Sequence, residues 1–181
     1  EHEEDAEGLP GSGAKRWKAS RRGFDVGRFL FCANAGEELR PLSKVASGGE
    51  LSRLMLVFKS VCSRGAEIPT IVFDEVDAGI GGRVAHSVGE KLVGVARAGQ
   101  VLCVTHLPQI ARLGDRHLRV EKHVEDGRTV ARVEVLSAEG RVDELARMLG
   151  ADESDETGRK HAAELLRDGE KDRRRLRAAA S

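Results

Sequence analysis

The chain has 181 residues, which is long enough for one domain with a hydrophobic core. Its 30 basic and 30 acidic side chains cancel, so net charge indicates neither a nucleic-acid nor a membrane partner, and any nucleic-acid contact would need a local patch. No apolar run reaches the roughly 18 to 20 residues that span a bilayer, and the acidic amino terminus is unlike a signal peptide. The composition therefore predicts a soluble, cytoplasmic protein without membrane contact.

Residues 1–22 show no hydrophobic periodicity and pass from an acidic cluster through Gly, Pro and Ser to a basic cluster. This pattern predicts a disordered linker or a truncated junction. Gly8 and Gly13 have the separation of the glycines in the phosphate-binding pattern G-x-x-x-x-G-K-S/T. The lysine comes one place late, at Lys15, and no strand precedes Gly8, so we interpret the match as coincidence.

A short apolar run within residues 24 to 33 predicts a strand that ends at a turn beginning at Asn34. The next element opens with S-G-G-E at residues 47 to 50, where the serine and the glutamate have the spacing of a capping box. Apolar side chains at helical spacing then predict a helix to about residue 63. Because the first N–H groups of a helix lack partners inside it, this start suits an anion, and an ordinary helix cap explains it equally well.

An apolar strand predicted at residues 70 to 73 ends on Asp74 and Glu75. Its continuous apolar character is typical of a strand buried in a parallel sheet. Two adjacent acids repel each other unless a cation or solvent compensates, which makes packing a poor explanation for the pair. Since ligands bind at the carboxyl ends of strands in open α/β sheets, the pair predicts a site for phosphate chemistry.

A second apolar strand is predicted at residues 101 to 104, and His106 follows it after one threonine. A lone histidine is more often structural than functional. Because this one follows a strand of the same predicted sheet, it should lie at the same edge as Asp74 and Glu75. That shared edge is the reason to include His106 in the site.

The rest of the sequence predicts helices and one hairpin. These are a helix at residues 84 to 95, a short helix at 107 to 113, a hairpin of 116 to 124 with 128 to 136, and amphipathic helices at 141 to 149 and 156 to 166. Residues 168–181 form a basic tail, which is more typical of a solvated or frayed end than of a nucleic-acid site.

Three motifs occur in a fixed order: VASGGELSRLML at residues 45 to 56, TIVFDEVDAGIGG at 70 to 82 and VLCVTHLPQIA at 101 to 111. In these motifs the sequence resembles the ATPase head of the ABC and SMC superfamily, and most closely the carboxyl-terminal half of the RecN family of bacterial DNA repair proteins. The resemblance implies an α/β fold in residues 23–167. It would be the carboxyl-terminal lobe of an ABC-type P-loop NTPase head, a mostly parallel sheet flanked by helices, with a small β-hairpin.

Such heads hydrolyse ATP between two molecules that face head to tail. The resemblance implies a signature motif that contacts the nucleotide held by the opposite head. Its residues are Ser47, Gly48, Gly49 and Glu50. The unpaired amides at the start of the helix give the physical reason for a phosphate contact.

The resemblance also implies roles for the three polar side chains at the sheet edge. Asp74 corresponds to the Walker B aspartate that holds Mg²⁺ through water, and Glu75 to the general base that orients the attacking water. His106 corresponds to the switch histidine that hydrogen-bonds the γ-phosphate. The catalytic residues would thus be Glu75 and His106, which suits a reaction catalysed mainly by positioning and charge neutralisation.

A complete head also needs a P-loop and a Q-loop glutamine, and neither motif occurs in this sequence. The resemblance implies that an amino-terminal half supplies both motifs. It implies further that completed heads form a head-to-tail homodimer around ATP and Mg²⁺, and that the complete protein contacts DNA and is associated with the bacterial nucleoid. We therefore expect the chain alone to be inactive.

Two alternatives remain open. The chain could act as a non-catalytic interaction module that binds a partner through its sheet edge and terminal helices. It could also be a fragment of another SMC-like or ABC ATPase. Ala46 and Glu50 disfavour a transporter subunit, because transporters commonly have leucine and glutamine at these places.

Overall fold

The computed structural model describes residues 2, 4–11, 14–25, 27–32, 36, 38–44, 47–62, 69–125, 127–152 and 154–179. The chain divides into two compact units, Glu1–Ala46 and Ser47–Ser181. All of the predicted site residues belong to the second unit.

The first unit contains two antiparallel pairs of short strands. They are β1 (Glu4–Pro10) with β2 (Arg16–Trp17), and β3 (Leu30–Phe31) with β4 (Arg40–Pro41), followed by a 3-10 helix at Leu42–Lys44. Residues 1–22, where a linker was predicted, thus include a strand pair. The strand predicted within residues 24 to 33 is reduced to the two residues of β3, and the turn predicted at Asn34 begins outside the described residues.

Opposite charges join the first strand pair. Lys15 forms an ion pair with Glu4, and its ammonium nitrogen lies 5.5 Å from the ring centroid of Trp17. The ring of His2 meets the same indole at a centroid distance of 5.3 Å. One acidic side chain of the first cluster and one basic side chain of the second therefore attract each other across this pair, and Lys15 contacts both Glu4 and Trp17.

The second unit alternates helices and strands. In chain order it contains α1 (Gly48–Cys62), β5 (Thr70–Phe73), α2 (Gly82–Val95), β6 (Gln100–Cys103), α3 (Pro108–Ala111), β7 (Leu118–Glu125), β8 (Arg128–Val135), α4 (Ala138–Met148) and α5 (Glu156–Ala178). Each helix and strand predicted after residue 47 is present within a few residues of its expected bounds, except that α5 is longer. Within the described ranges, no helix is long and apolar enough to cross a membrane.

The site is built on the β5–α2–β6 unit. The two strands run parallel, with a register from Thr70↔Gln100 to Phe73↔Cys103, so both carboxyl ends lie at one edge. The apolar residues of α2 recur at helical spacing and cover one face of this pair. The core cluster comprises Leu56, Phe73, Val76, Ala85, Val88, Leu92, Val95 and Ile110. This packing fixes the carboxyl edge against α1 and α2.

The predicted mostly parallel sheet is not confirmed. Among the described residues the strands form four separate pairs, of which only β5–β6 is parallel. Parallel neighbours need a crossover connection, and α2 supplies one for β5 and β6, whereas β7 and β8 are joined by a short turn that permits only antiparallel pairing. The β5–β6 pair is also covered on one face only, since Val72 on the other face is 63% exposed.

The predicted hairpin is confirmed as β7 and β8, which pair from Leu118↔Val135 to Glu125↔Arg128. Directly opposite residues share a face, so the two faces differ in character. One face has ion pairs such as Arg119 with Glu134 at 2.9 Å. The other carries exposed apolar side chains, namely Leu118, Val120, Val133 and Val135. The hairpin is therefore an amphipathic ribbon.

Helix α5 continues well beyond Leu166, so residues 168 to 178 are helical where a solvated or frayed basic tail was expected. The arginines of this part are tied to the connection between α3 and β7. Arg173 donates to the carbonyl of Gly114 at 2.6 Å, and Arg177 pairs with Asp115 at 2.7 Å. The packing uses charged groups rather than an apolar stripe, which is why hydrophobic periodicity did not reveal it.

Candidate functional site

A tight turn follows β5 and carries the two predicted acids. Asp74 and Glu75 are both exposed, and the N–H of Glu75 donates to Oδ1 of Asp74 at 2.9 Å. Glu75 has a φ of +58°, in the left-handed region that a side chain rarely adopts. Such a conformation costs on the order of 1 to 3 kcal/mol and persists only where surrounding contacts impose it. The turn is therefore held in place by its neighbours.

The first two turns of α1 supply these contacts. Ser52 Oγ donates to the carbonyl of Asp74 at 2.7 Å, and an Arg53 Nη1 donates to the carbonyls of Val76 and Ala78 at 3.4 and 2.8 Å. These two polar side chains clamp the helix to the backbone of the turn. We did not predict either role, although Ser52 and Arg53 lie two and three residues after the predicted signature motif.

Gly48 and Gly49 allow the close approach between helix and turn. A Cβ atom at Gly48 would lie 2.4 Å from Oε2 of Glu75, and one at Gly49 would lie 3.0 Å from the backbone oxygen of the same residue. Ser47 immediately precedes this first helical turn, Glu50 lies within it, and the Ser47 carbonyl accepts from Leu51 N–H at 3.1 Å. The structure thus brings the start of α1, where the signature motif is predicted, into contact with Glu75.

Asp77 joins the turn after β5 to the loop after β6. This side chain is 4% exposed, and its Oδ2 accepts from Thr105 Oγ1 at 2.6 Å and from His106 N–H at 2.8 Å. The same oxygen lies 3.0 Å from Nδ1 of the His106 ring. Sequence reasoning missed Asp77; the available signal was a third acid three residues after Asp74.

His106 lies at the carboxyl end of β6, as predicted, and its side chain is 72% exposed. Asp77 connects it to the turn that carries Asp74 and Glu75. The predicted residues of the sheet edge therefore form one continuous arrangement, with Gly48 beside Glu75 and Asp77 beside His106.

The charges of Asp77 and Asp74 act on the thiol of Cys103 at this edge. Burial, together with the charges of Asp77 and then Asp74, raises the pKa of that thiol to about 12. Two carboxylates that disfavour a thiolate would favour a cation. Within the described residues no group of three or more His, Cys, Asp and Glu side chains could hold a metal ion, so the assignment of Mg²⁺ to Asp74 remains a prediction.

A cavity of about 420 Å³ lies elsewhere, between α2, α3 and α5. Its lining includes His86, Arg112 and Asp172, and none of the predicted site residues. Arg112 is buried there and donates to Asp172 at 2.8 Å, so its charge is balanced within the chain. The carboxyl edge of β5–β6 remains the better candidate site, because it gathers the motif residues.

The sequence of the chain is similar to those of known proteins, although no protein-family model matches it. It is 48% identical over 148 residues to the DNA repair protein RecN of Bacillus subtilis, which covers 82% of this chain and 26% of that protein. It is 57% identical over 136 residues to RecN of Deinococcus radiodurans, covering 75% of the chain and 24% of that protein. RecN of Streptomyces coelicolor is 45% identical over 170 residues, or 94% of the chain and 30% of the relative.

A solved structure from a study of ATP-driven dimerization and DNA-stimulated activation of SMC ATPases overlaps 64% of this chain and 68% of its own, with 22% identity and a TM-score of 0.43. That overlap is too weak to support a conclusion. The chain spans only about a quarter to a third of the length of the RecN relatives. Over most of its own length the RecN resemblance inferred from the three motifs is confirmed, and the chain is a RecN-like sequence.

Proposed function

We propose that this chain supplies the signature, Walker B and switch-histidine parts of a RecN-like ATPase head that acts in DNA double-strand break repair and recombination. One observation carries the proposal. The first turn of α1 lies against Glu75 at the end of β5, and Asp77 ties the same turn to His106 at the end of β6. Three motifs that are far apart in sequence thus meet at the edge where open α/β sheets bind ligands.

Asp74 would hold Mg²⁺ in this head. The ion binds through one or two carboxylates and takes phosphate oxygens and water as its other ligands, so a single exposed aspartate at a strand end suits it. Asp77 and Asp74 each contribute, after burial, to the raised pKa of the Cys103 thiol, and carboxylates that disfavour an anion there support a cation. When bound, the ion would neutralise charge on the phosphate oxygens of ATP.

Glu75 and His106 would act on the γ-phosphate. A carboxylate on a rigid left-handed turn can orient and deprotonate the attacking water, and general base catalysis of this kind contributes about 10²- to 10⁴-fold. His106 is exposed enough to hydrogen-bond a phosphate oxygen. Both side chains would serve a nucleotide that a P-loop on the amino-terminal half of the same head holds.

Ser47, Gly48, Gly49 and Glu50 would contact ATP on the opposite head, through the amides at the start of α1. In the chain described here the Glu75 carboxylate lies beside that helix start. A phosphate and a carboxylate repel each other, so we expect nucleotide binding to turn Glu75 away from Gly48 and toward the water it activates.

The exposed apolar surfaces support the proposal that another part of the same head packs against this chain. Val72 and Val104 are 63% and 61% exposed on or directly after the two parallel strands. The apolar face of the hairpin is exposed as well. Surfaces of this kind mark interaction sites, and an amino-terminal half that completes the head would cover them. The completed head would dimerise head to tail with ATP and contact DNA through the rest of the protein.

The decisive experiment compares ATP hydrolysis by the chain alone with hydrolysis by the chain joined to the amino-terminal part of a RecN relative. We expect no turnover from the chain alone. The joined protein should turn over ATP, and Glu75→Gln should reduce the rate by about 10²- to 10⁴-fold while leaving ATP binding intact. The matched control is Glu139→Gln, an exposed glutamate in the first turn of α4. Turnover by the chain alone that Glu75→Gln abolishes would contradict the proposal.

The same apolar surfaces also favour a second candidate function, a non-catalytic interaction module. Size-exclusion chromatography separates the two. A module should behave as a single species without an amino-terminal part, whereas an incomplete head should self-associate and become monodisperse when that part is added.

A further inference from the structure

Asp77 is a buried acid for which the proposed catalytic roles give no use. It lies in the turn after β5, and the described hydrogen bonds and ion pair of its side chain reach across to the loop after β6. Two of the contacts, with Thr105 Oγ1 and the His106 N–H, hold that loop. The third, from Oδ2 to Nδ1 of His106 at 3.0 Å, involves the ring itself.

The contact with the ring constrains where the histidine carries its hydrogen. A carboxylate can only accept hydrogen bonds, so an imidazole nitrogen at this distance is favourable only when it carries a hydrogen. A neutral ring has one N–H, and placing it on Nδ1 leaves Nε2 as an acceptor. Since the ring is 72% exposed, an outside ligand can reach it.

We propose that Asp77 is a positioning residue that holds His106 in the Nδ1–H form and in a fixed orientation, and so couples the histidine to the turn carrying Glu75. The effect on catalysis rests on the proposed function, whereas the position of the hydrogen on His106 does not depend on it. A phosphate oxygen is an acceptor, so Nε2 can donate to it only in a ring that has taken a second proton from solvent, while Nδ1–H still donates to Asp77. A phosphate bound at Nε2 would therefore act on the position of Asp77, which lies in the turn three residues after Asp74.

The first test is NMR of the chain labelled with ¹⁵N-histidine, in a sample basic enough to keep the ring neutral. The chain has six histidines, and the signals of His106 are identified as those that disappear in His106→Gln. We expect the His106 signals to show hydrogen on Nδ1. Hydrogen on Nε2 in the unmodified chain would overturn the proposal without any variant at Asp77.

Variants then separate the ring contact from the backbone contacts. Asp77→Val removes the acceptor and should shift His106 toward the Nε2–H form. Thr105→Val is the matched control, because it removes one donor to Asp77 and leaves the ring contact in place. Asp77→Asn can keep an oxygen at the Oδ2 position, since Thr105 and the His106 N–H both need an acceptor there, and should preserve the Nδ1–H form. An Nδ1–H ring in a folded Asp77→Val chain would overturn the inference.

A double-mutant cycle of ATP turnover in the completed head tests the coupling between Asp77 and His106. Asp77→Val and His106→Gln should each lower kcat with little change in KM, and the double variant should be no slower than the slower single variant, because the two residues act as a unit. Additive losses would mean that Asp77 does not act through His106. If His106→Gln leaves turnover unchanged while the NMR result holds, the proposed role of His106 fails and the positioning by Asp77 stands.

Discussion

Two helices of the second unit, α1 and α5, each pack against a turn through a glycine and an arginine, but the two turns differ in the side chains that they expose. In α1, Gly49 approaches the backbone of the turn after β5, and Arg53 donates to the carbonyls of Val76 and Ala78. In α5, Gly169 approaches the backbone of Arg112, and Arg173 donates to two carbonyls of the turn before β7. Both segments read G-E-x-x-R, which places glycine and arginine one helical turn apart on one face.

The difference lies in what each facing turn carries. The turn against α1 bears Asp74 and Glu75, both exposed. Around α5 the acids are paired within the chain, since Asp172 accepts from Arg112 at 2.8 Å and Asp115 meets Arg177 at 2.7 Å. Glycine and arginine at this spacing thus account for packing in both places. The chemistry proposed for the first contact comes from its exposed acids. Ser47 and Gly48 belong to the predicted signature motif, and this packing does not require them.

The largest predicted effect is at the α5 contact. A Cβ at Gly169 would lie 2.4 Å from the backbone oxygen of Arg112, which can give way only if helix or turn moves. Overpacking of this kind costs about 1 to 3 kcal/mol, so Gly169→Ala should lower the free energy of unfolding by about 2 kcal/mol after its gain in helix propensity. Denaturant unfolding of the full chain measures this change. No loss of stability would mean that α5 does not pack closely here.

Gly49→Ala should destabilise the chain less, by about 1 kcal/mol, because the nearest obstacle is the Ala78 methyl group at 2.8 Å and the backbone oxygen of Glu75 lies at 3.0 Å. The matched control for both variants is Gly94→Ala in α2, where an added methyl group meets nothing within 4 Å. That control should stabilise the chain by about 0.5 to 1 kcal/mol. Equal effects at Gly49 and Gly94 would show that α1 is not held close to the turn.

The sequence predicts the elements that meet at the first contact, and it misses the second contact for a physical reason. Strands β5 and β6, helix α1 and the edge carrying Glu75 and His106 follow from apolar runs and from where those runs stop. The carboxyl-terminal half of α5 has no apolar stripe, because charged side chains and Gly169 make its contacts. Asp77 was missed for a related reason: its burial depends on the loop after β6, which the local sequence does not reveal.

Acid should weaken the packing around His117, which lies just before β7 and interacts with charged residues of α4. Burial lowers the pKa of His117, and its Nδ1 is a buried atom without a hydrogen-bond partner among the described residues. A lowered pKa means that the unfolded chain binds the proton more readily, so stability is complete above the ordinary value of 6.5 and declines as the pH falls below it. The decline should be smaller than either glycine effect. His117→Gln should flatten the curve, and exposed His161→Gln should leave it unchanged.

Gly48→Ala should change stability least, by no more than about 0.5 kcal/mol, although its Cβ would lie only 2.4 Å from Oε2 of Glu75. The obstacle is the end of a flexible, exposed side chain that can turn aside, unlike the backbone facing Gly169. In a completed head, however, the displaced carboxylate should slow ATP turnover by about 100-fold, since small misplacements of a catalytic group are costly. Gly48→Ala with Glu75→Gln should then be no slower than Glu75→Gln alone. If Gly48→Ala instead unfolds the chain as readily as Gly49→Ala, both glycines serve packing, and the signature has no separate ligand role to explain.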